Sequence, residues 1–592
     1  MSAQETTAVR RGGGFLLEEA APDEVFIPER LNEEQRLAAR TIQEFLEREV
    51  LPHTQVLEGK DWTLTRRLIR RLGELGVLGA EIPEAYGGLG LDKITSLVIT
   101  EYLGPAASFA VSVGAHIGIG TLPIVFFGTD EQKRRYLPRL AAGELIGAYA
   151  LTEPTAGSDA MAIRTSATRS ADGAAYLLTG TKQFISNAAF ADLFITYAKV
   201  DGEHHTAFIV DRSTPGLTVG DEEHKMGIKG SSTASLFFEQ ARVPAENVLG
   251  EVGQGHKVAF NILNVGRFKL AAGALGAAKV AFRDALGYAK ERRQFGRPLA
   301  DFGLIKQKLA QMTVRLYVSE SMVYRTGGLV DGALGGMHAD ARAVMAALEE
   351  YAVECSINKV FVSEALDFVV DEMVQIYGGY GFIEDYPAAR AYRDARINRL
   401  FEGTNEINRL LITSMLLRRA QRGQLGLITA ARAVADDLLS PPLPGDGQVT
   451  GSLRPERIQV EGAKKAALFT AGAALQRHGT AVEEQQEILA WLADMVSEIF
   501  AMESAVLRAA AAPSGESGEE ALQVRLARAY LHEALPRIDG LARQVLAASA
   551  EGENLRTALS GLRRFLRYTP LNVVAEWRAI ADRVIEAGRY PL

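Results

Sequence analysis

The chain has 592 residues, which is too long for a single hydrophobic core, so we expect several packed domains. Its 65 basic and 73 acidic residues give a net charge of −8, and this balance argues against a nucleic-acid partner. Cys355 is the only cysteine, which excludes internal disulfides and thiolate metal sites.

The N-terminal segment, residues 1–24, lacks an apolar run, and we expect it to be frayed. Glu5, Glu18 and Glu19 argue against a mitochondrial transit peptide, which would be poor in acidic residues. We find no membrane-spanning segment in the sequence. These observations predict a cytoplasmic protein that is at most peripheral to a membrane.

Residues 25–147 predict an N-terminal helical domain. Leu37, Ile42, Phe45 and Leu46 recur at roughly helical spacing, and turns rich in proline and glycine separate the segments.

Residues 148–257 predict a middle β domain. Short segments rich in aliphatic and aromatic residues are separated by glycine turns, which is typical of an antiparallel barrel or sandwich. We expect strands at 176–186, 193–200, 206–210 and 234–238. No G-x-G-x-x-G sequence opens a helix after a strand, so a dinucleotide would not lie in a Rossmann crevice.

Residues 258–420 predict a helical bundle, and residues 421–592 predict an additional C-terminal helical domain. Long segments rich in alanine and leucine lie at 258–293, 302–326, 338–377 and 405–420. A proline-rich linker at 440–447 and a break at 513–515 interrupt the later helices. The expected fold class is therefore mainly α with a central antiparallel β domain.

One carboxylate, that of Glu402, has an unusual sequence neighbourhood. Phe401 can exclude water from it, and Gly403 allows a ligand to approach the backbone. Burial disfavours the charged form of a carboxyl group, so such a residue accepts a proton near neutral pH better than an exposed Glu. By itself this hexapeptide, 401–406, is a weak signal.

Four other segments strengthen this signal, because each places polar or glycine residues at the end of a predicted strand or helix. They are 149–159, 183–187, 292–296 and 375–382. In this order and at these separations, the segments resemble the acyl-CoA dehydrogenases, flavoproteins that desaturate fatty-acyl thioesters. The resemblance implies an N-terminal helical domain, a β-barrel or sandwich, and a C-terminal four-helix bundle.

The resemblance also implies the chemistry. Glu402 would remove the α-proton of an acyl-CoA, the β-hydrogen would pass as hydride to FAD, and the product would be a trans-2-enoyl-CoA. The Glu402 amide would join a ribityl hydroxyl of FAD to stabilise the enolate oxygen. Electron-transfer flavoprotein would receive the electrons, and FAD sites built between protomers would make the protein at least a homodimer.

Residues that match family positions fall into two sets. The cofactor-binding set is Tyr149, Leu151, Thr152, Gly157, Ser158, Phe184, Ile185, Ser186, Arg292, Gln294, Phe295, Gln375, Gly378, Gly379, Thr404 and Glu406. The substrate-binding set is Ser158, Asn264, Arg267, Phe401, Gly403, Gly114 and Gly118.

The branch most similar to this chain is the very-long-chain acyl-CoA dehydrogenases, which also carry an extra C-terminal domain. Gly114 and Gly118 would deepen the acyl pocket, because absent side chains leave room for more methylene groups. Some branches place the base at position 266, but Gly266 cannot serve as one. Phe184 stands where the family usually has Trp, so the cover of the flavin keeps an apolar ring but loses the indole N–H.

Three functions stay open on the sequence. They are a dehydrogenase that uses electron-transfer flavoprotein, an oxidase that uses oxygen, and a non-catalytic assembly relative of the same fold. Retention of Glu402, Gly403 and Arg267 favours an active enzyme. The amphipathic segment 425–439 lacks the basic face that anionic lipid favours, so we expect it to pack on the protein core, with peripheral membrane contact as the alternative.

Overall fold

The computed structural model describes residues 10–438, 452–512 and 521–592. The predicted linker at 440–447 and the break at 513–515 lie outside these residues. The chain forms a helical domain, a β-sheet domain and a helical bundle, followed by further helices, as the fold class predicted.

The N-terminal helical domain begins with a capping box. The Asn32 side chain accepts a hydrogen bond from Gln35 N, and the Gln35 side chain accepts one from Asn32 N. The helices of this domain are α1 (Glu33–Phe45), α2 (Thr54–Glu58), α3 (Trp62–Glu74), α4 (Lys93–Leu103), α5 (Ser108–Gly114), α6 (Leu122–Phe127) and α7 (Asp130–Ala141). A π-helical turn, Ala115–Gly120, joins α5 to α6.

The prediction that the sequence holds no membrane-spanning segment does not account for Ser108–Phe127, which is long and apolar enough to cross a membrane. In this structure 78% of its apolar window is buried. The stretch therefore serves as a core helix of the N-terminal domain and forms a wall of the cavity described below.

The prediction that residues 1–24 are frayed is wrong for residues 10–24. Phe15 and Leu16 are buried, and the backbone N–H of Gly13 donates to Glu354 Oε1 at 2.7 Å. The segment has no helical or strand periodicity, so its order comes from the packing of Phe15 and Leu16 in a core and from backbone hydrogen bonds to distant side chains. The sequence pattern carries no sign of such contacts.

The middle domain of the described chain is one sheet of eight strands. They are β1 (Gly147–Ala150), β2 (Ser166–Arg169), β3 (Ala175–Ser186), β4 (Leu193–Val200), β5 (His204–Asp211), β6 (Leu217–Glu222), β7 (Thr233–Pro244) and β8 (Val248–Leu249). The path runs β6-β7-β3-β2-β4-β5-β8, and β1 pairs with β4.

Most pairs of the sheet are antiparallel, as predicted, but β1 and β2 run parallel to β4. This is a correction to the purely antiparallel expectation. β1 and β2 are short and their pairing with β4 spans an intervening crossover, which local turn signals do not reveal.

The helical bundle contains the 37-residue α8 (Gly255–Glu291), α9 (Gly303–Leu334), α11 (Ala352–Tyr377) and α13 (Asn405–Gln421). The predicted helix at 338–377 is two helices, because Tyr351 leaves helical geometry between α10 (Ala341–Glu350) and α11. A short helix that the sequence did not predict, α12 (Pro387–Ala395), precedes the turn that contains Glu402. A two-strand hairpin of β9 (Arg293–Gln294) and β10 (Arg297–Pro298) follows α8.

The C-terminal helices are α14 (Leu427–Asp437), α15 (Arg454–His478), α16 (Gln486–Ala511), α17 (Leu522–Ser549), α18 (Gly552–Phe565) and α19 (Val573–Ala587). They share one hydrophobic core with α9, in which Tyr317 packs with Phe500 and Tyr530. Leu427 and Ala431 of α14 line a small apolar cavity beside α13, α15 and α16. These helices are therefore an extension of the bundle.

Candidate active site

The residues around Glu402 form a turn with an uncommon backbone. Glu402 has φ +57° and Gly403 has φ +79°, both in the left-handed region. That conformation is unfavourable for a residue with a side chain and persists only where surrounding contacts hold it. Thr404 ends the turn and caps α13 by accepting a hydrogen bond from Ile407 N at 3.2 Å.

Three side chains from three helices hold the carbonyl groups of this turn. Arg267 of α8 donates from Nε to Glu402 O at 3.1 Å, as its predicted proximity implied. Lys359 of α11 donates to Gly403 O at 2.8 Å, and Asn408 of α13 donates to the same oxygen at 2.8 Å. Lys359 and Asn408 were not predicted, because their sequence surroundings carry no motif.

The Glu402 carboxylate itself stays unpaired. Its Oε2 atom is enclosed and has no hydrogen-bond partner among the described residues. Burial raises the pKa of Glu402 to about 7, although the positive charges of Arg267 and Lys359 oppose the shift. A carboxyl group with such a pKa can accept and release a proton near neutral pH.

Gly266 makes room for this carboxylate. A Cβ atom at position 266 would lie 2.3 Å from Glu402 Oε2, closer than non-bonded atoms can approach. A side chain at 266 would therefore displace the Glu402 carboxylate from this position, and glycine also excludes a base there.

A cavity of about 270 Å³ opens beside the carboxylate. Its lining includes Glu402, Phe401 and Ser186, and it follows α8 from Gly266 to Asp284. That helical distance is 18 residues, or about 27 Å. The cavity is therefore long, and apart from a few polar residues its walls are apolar.

Gly114 and Gly118 lie in the cavity wall, as predicted for residues that deepen an acyl pocket. A Cβ at Gly114 would meet no described atom within 4 Å, and one at Gly118 would meet only Lys269 Cδ at 4.0 Å. Side chains at either position would extend into the cavity. Gly273 on α8 was not predicted and also lines it.

The two predicted flavin segments meet at the end of this cavity. Gln183 N of β3 donates to Thr152 O at 2.9 Å, so the turn after β1 lies against the end of β3. Burial raises the pKa of Tyr149, and Tyr197 and then Glu402 raise it further, which places β1 within electrostatic range of Glu402.

A buried ion pair anchors the turn after β1, and sequence reasoning missed it. Lys182 Nζ lies 2.7 Å from Glu153 Oε1 and 3.2 Å from Leu151 O. Glu153 also accepts hydrogen bonds from the backbone N–H groups of Arg164 and Thr165.

The surface beside this turn fits a flat, partly apolar cofactor. Phe184 is 57% exposed with φ +59°, and a Cβ at Gly157 would meet no described atom within 4 Å. Ser158 is exposed on the same turn and Ser186 reaches the cavity. The side chain of Ile185 instead packs in the sheet core, as that of Leu151 does in the larger core, so only their backbones remain available.

A second group of predicted cofactor residues lies far from Glu402 in the same chain. Arg292, Gln294 and Phe295 are exposed, and Phe295 is 93% exposed. The end of α8 at Glu291 is 25 residues, about 38 Å, from Gly266. Gln375, Gly378 and Gly379 are also exposed at the end of α11, and the Arg292 guanidinium lies 5.5 Å from the Tyr380 ring centre beside them.

The remaining predicted residues flank the turn that contains Glu402. Asn264 Oδ1 accepts a hydrogen bond from Arg267 Nη1 at 2.8 Å, so it orients the arginine. Glu406 is exposed in the first turn of α13, where hydrogen bonds from its own backbone N–H and from Thr404 lower its pKa.

Comparison with known proteins gives a consistent result along the chain. Family models of the acyl-CoA dehydrogenase N-terminal, middle and C-terminal domains match residues 32–144, 148–241 and 253–417. A further model, also described as an acyl-CoA dehydrogenase C-terminal domain, matches residues 462–564.

Individual relatives cover nearly all of the chain. A probable acyl-CoA dehydrogenase of Bacillus subtilis is 50% identical over 99% of this chain and 100% of that protein. The very long-chain specific acyl-CoA dehydrogenase of Bos taurus is 42% identical over 66% of this chain and 59% of that protein. The crystal structure of an acyl-CoA dehydrogenase complexed with FAD from Bacillus anthracis has a TM-score of 0.95 and 48% identity, covering 98% of this chain and 100% of that one.

Proposed function

The chain belongs to the acyl-CoA dehydrogenase family of flavin-dependent oxidoreductases, and from that premise we propose that it oxidises long-chain fatty acyl-CoA to trans-2-enoyl-CoA. The observation that carries the proposal is the unpaired, enclosed carboxylate of Glu402 at the end of a long apolar cavity.

Glu402 acts as the base in this proposal. Its pKa of about 7 leaves a substantial fraction ionised at neutral pH, and its unpaired Oε2 has a free lone pair for the α-proton. The hydrogen bonds from Arg267, Lys359 and Asn408 go to carbonyl oxygens, so they orient the turn without occupying the carboxylate. The Glu402 amide donates to the thioester oxygen as enolate charge develops.

The cofactor in this proposal is FAD, which the similar Bacillus anthracis protein contains. Bound FAD supplies the acceptor for the β-hydride. Thr152, Gly157, Phe184 and Ser186 would hold its ring, because the turn after β1 lies against the end of β3, and Ser186 of that strand lines the same cavity as Glu402.

The exposed residues at the far ends of α8 and α11 would bind the FAD of a second protomer. The end of α8 lies about 38 Å along the helix from Gly266, which is beside Glu402, and the end of α11 lies next to it, so we assign these residues no role at their own chain's Glu402. We therefore propose a homodimer at least. Light scattering should give twice the 64.0 kDa chain mass or more, and a FAD-loaded monomer would contradict the assignment of Arg292, Gln294, Phe295, Gln375, Gly378 and Gly379.

The preference for long chains rests on the cavity. It extends about 27 Å along α8, and Gly114 and Gly118 leave its wall without side chains. Each methylene group buried there adds about 0.8 kcal/mol.

The test is an anaerobic titration of the FAD-loaded protein with acyl-CoAs of graded chain length. Bleaching of the flavin absorbance, with the strongest response at sixteen or more carbons, supports the proposal. Bound flavin that no acyl-CoA bleaches would make the chain a non-catalytic relative.

The same sample identifies the electron acceptor. We propose electron-transfer flavoprotein, and expect the reduced protein to be reoxidised by it much faster than by air. Fast reoxidation by air alone would instead identify an acyl-CoA oxidase.

A further inference from the structure

Lys359 is a buried cation directed at the catalytic turn. Its side chain belongs to α11 and is 0% exposed. Its Nζ donates to Gly403 O at 2.8 Å and to Asn405 Oδ1 at 2.7 Å. Both acceptors lie within three residues of Glu402.

The position of Lys359 is itself fixed by its neighbours. Asn405 donates from Nδ2 to Ser363 Oγ at 3.1 Å and to Glu364 Oε1 at 3.0 Å. Ser363 and Glu364 lie one helical turn beyond Lys359 on α11. The ammonium group therefore sits between α11 and the start of α13 with little freedom to move.

This contact bears on the backbone strain of the turn. Glu402 and Gly403 are consecutive residues with positive φ, and Glu402 lacks the freedom of glycine. Arg267 and Asn408 hold the Glu402 carbonyl, while Lys359 and Asn408 hold the Gly403 carbonyl. The carboxylate occupies the space that a Cβ at Gly266 would fill, 2.3 Å from Oε2, so its position depends on how the turn is held.

We propose that Lys359 is a positioning residue for the reaction: its ammonium group holds the Gly403 carbonyl so that the Glu402 carboxylate stays over Gly266, and its charge favours the ionised carboxylate. This inference rests on the function proposed above.

The charges that act on Glu402 come from two elements. Arg267 of α8 and Lys359 of α11 both lower the pKa of Glu402 against the larger effect of burial, and Tyr149 of β1 is a neutral neighbour. Burial lowers the pKa of Lys359 to about 8, although Glu402 opposes this shift, so the ammonium group is charged at neutral pH. Removal of Lys359 should therefore raise the pKa of Glu402.

The experiment compares Lys359→Met and Lys359→Gln in the FAD-loaded protein. Met removes both the donor and the charge, whereas Gln retains a donor and removes only the charge. For Lys359→Met we expect kcat to fall at least about tenfold with little change in KM, because misplacement of a base by 1 Å can reduce the rate about 100-fold. The acidic limb of the kcat–pH profile should move up by about one unit in both variants.

Lys464→Met is the matched control, since Lys464 is 2% exposed and ion-paired with Glu503 far from the turn. It should lower the melting temperature and leave the pH limb unchanged. If Lys359→Met behaves in the same way, Lys359 has only a structural role and the proposal is wrong. If Lys359→Met does not fold, the pH limb of Lys359→Gln decides.

A second measurement does not depend on turnover. An infrared titration, in which the spectrum of Glu402→Gln is subtracted from that of the wild type, reports the protonation of Glu402. We expect the carboxyl band to titrate about one pH unit higher in the Lys359 variants. A shift without acyl-CoA oxidation would overturn the proposed function and retain the electrostatic role of Lys359, and an unchanged titration would overturn that role.

Discussion

Two buried carboxylates in this protein have opposite properties. Glu402 lies in the turn before α13, and burial raises its pKa to about 7. Glu320 lies at the junction between the bundle and the C-terminal helices, where burial also acts to raise its pKa, but Lys279 and then Arg508 outweigh it and hold the pKa well below the ordinary value.

The difference lies in what the neighbouring cations contact. At Glu320 they contact the carboxylate, with Arg508 Nη1 at 2.7 Å from Oε2 and Lys279 on the other oxygen. At Glu402 the cations Arg267 and Lys359 contact carbonyl oxygens of the turn. Similar residue types thus produce a carboxylate paired with cations in one region and an unpaired carboxylate in the other.

The largest effect should come from removing the available base. Glu402→Gln should keep FAD and bind acyl-CoA but lose turnover by about 10²–10⁴ or more, since this is the usual contribution of a general base. Stopped-flow reduction of the flavin by acyl-CoA measures it. Glu131→Gln, an exposed carboxylate whose side chain is 81% exposed, is the control. Near-normal turnover in Glu402→Gln would remove Glu402 from the mechanism.

Changes at the pair of Glu320 and Arg508 should instead lower the stability of the fold. Arg508→Met leaves Glu320 with one fewer partner in the interior, so we expect the free energy of unfolding to fall by about 3–5 kcal/mol. Urea unfolding measures this. Arg556→Met should change it by less than about 1 kcal/mol, because Arg556 pairs with Glu553 where both side chains are about 80% exposed. Equal losses of stability in the two variants would show that burial does not make the Arg508 pair more important than the Arg556 pair.

The contributions of the two carboxylates to the stability of the fold should depend on pH with opposite sign. The folded pKa of Glu402 is above the unfolded value near 4.5, so ionising it weakens the fold as pH rises from about 4.5 to 7. Glu402→Gln should therefore be more stable than the wild type at pH 8, by about 2–3 kcal/mol, and similar to it at pH 4.

Glu320→Gln should show the reverse. Because the folded pKa of Glu320 is lowered, its stabilisation is present above the unfolded value near 4.5 and is lost as pH falls through the folded pKa. The variant should be less stable than the wild type at pH 7, with a smaller difference at low pH. Melting curves across this range test both signs, and parallel curves for the two variants would contradict the comparison.

Displacing the Glu402 carboxylate without removing it should also lower kcat. Gly266→Ala places a Cβ 2.3 Å from Glu402 Oε2, so the carboxylate must move, and we expect a loss of about 100-fold in kcat. Gly287→Ala is a matched control on the same helix, because a Cβ there would meet no described atom within 4 Å. Normal activity in Gly266→Ala would show that the carboxylate functions in another position.

The smallest change should affect substrate choice alone. Gly118→Glu and Gly114→Gln extend side chains into the cavity and should shift the best substrate toward shorter acyl chains, because each excluded methylene group forfeits about 0.8 kcal/mol. Ratios of kcat/KM over a series of acyl-CoAs measure the shift. An unchanged dependence of kcat/KM on chain length would show that these glycines do not line the acyl site.

Much of the site could be predicted because its parts are local motifs. The hexapeptide at 401–406, the glycine at 266 and the turn after β1 each carry a recognisable pattern, and Arg267 follows Gly266 directly. Lys359, Asn408 and the pair of Glu153 with Lys182 could not be predicted in their roles. A buried lysine in an apolar helix has the same sequence pattern whether it pairs with a carboxylate or with a backbone carbonyl.

The amino-acid sequence by itself was enough to predict the family, the order of the domains and the unusual neighbourhood of Glu402, because these depend on periodicity and on short motifs. Only the tertiary structure decided that residues 10–24 are ordered, that the C-terminal helices share a core with the bundle, and which buried carboxylates are paired. Pairing depends on contacts between residues far apart in the chain, and a few ångströms determine whether a cation reaches a carboxylate or the carbonyl beside it.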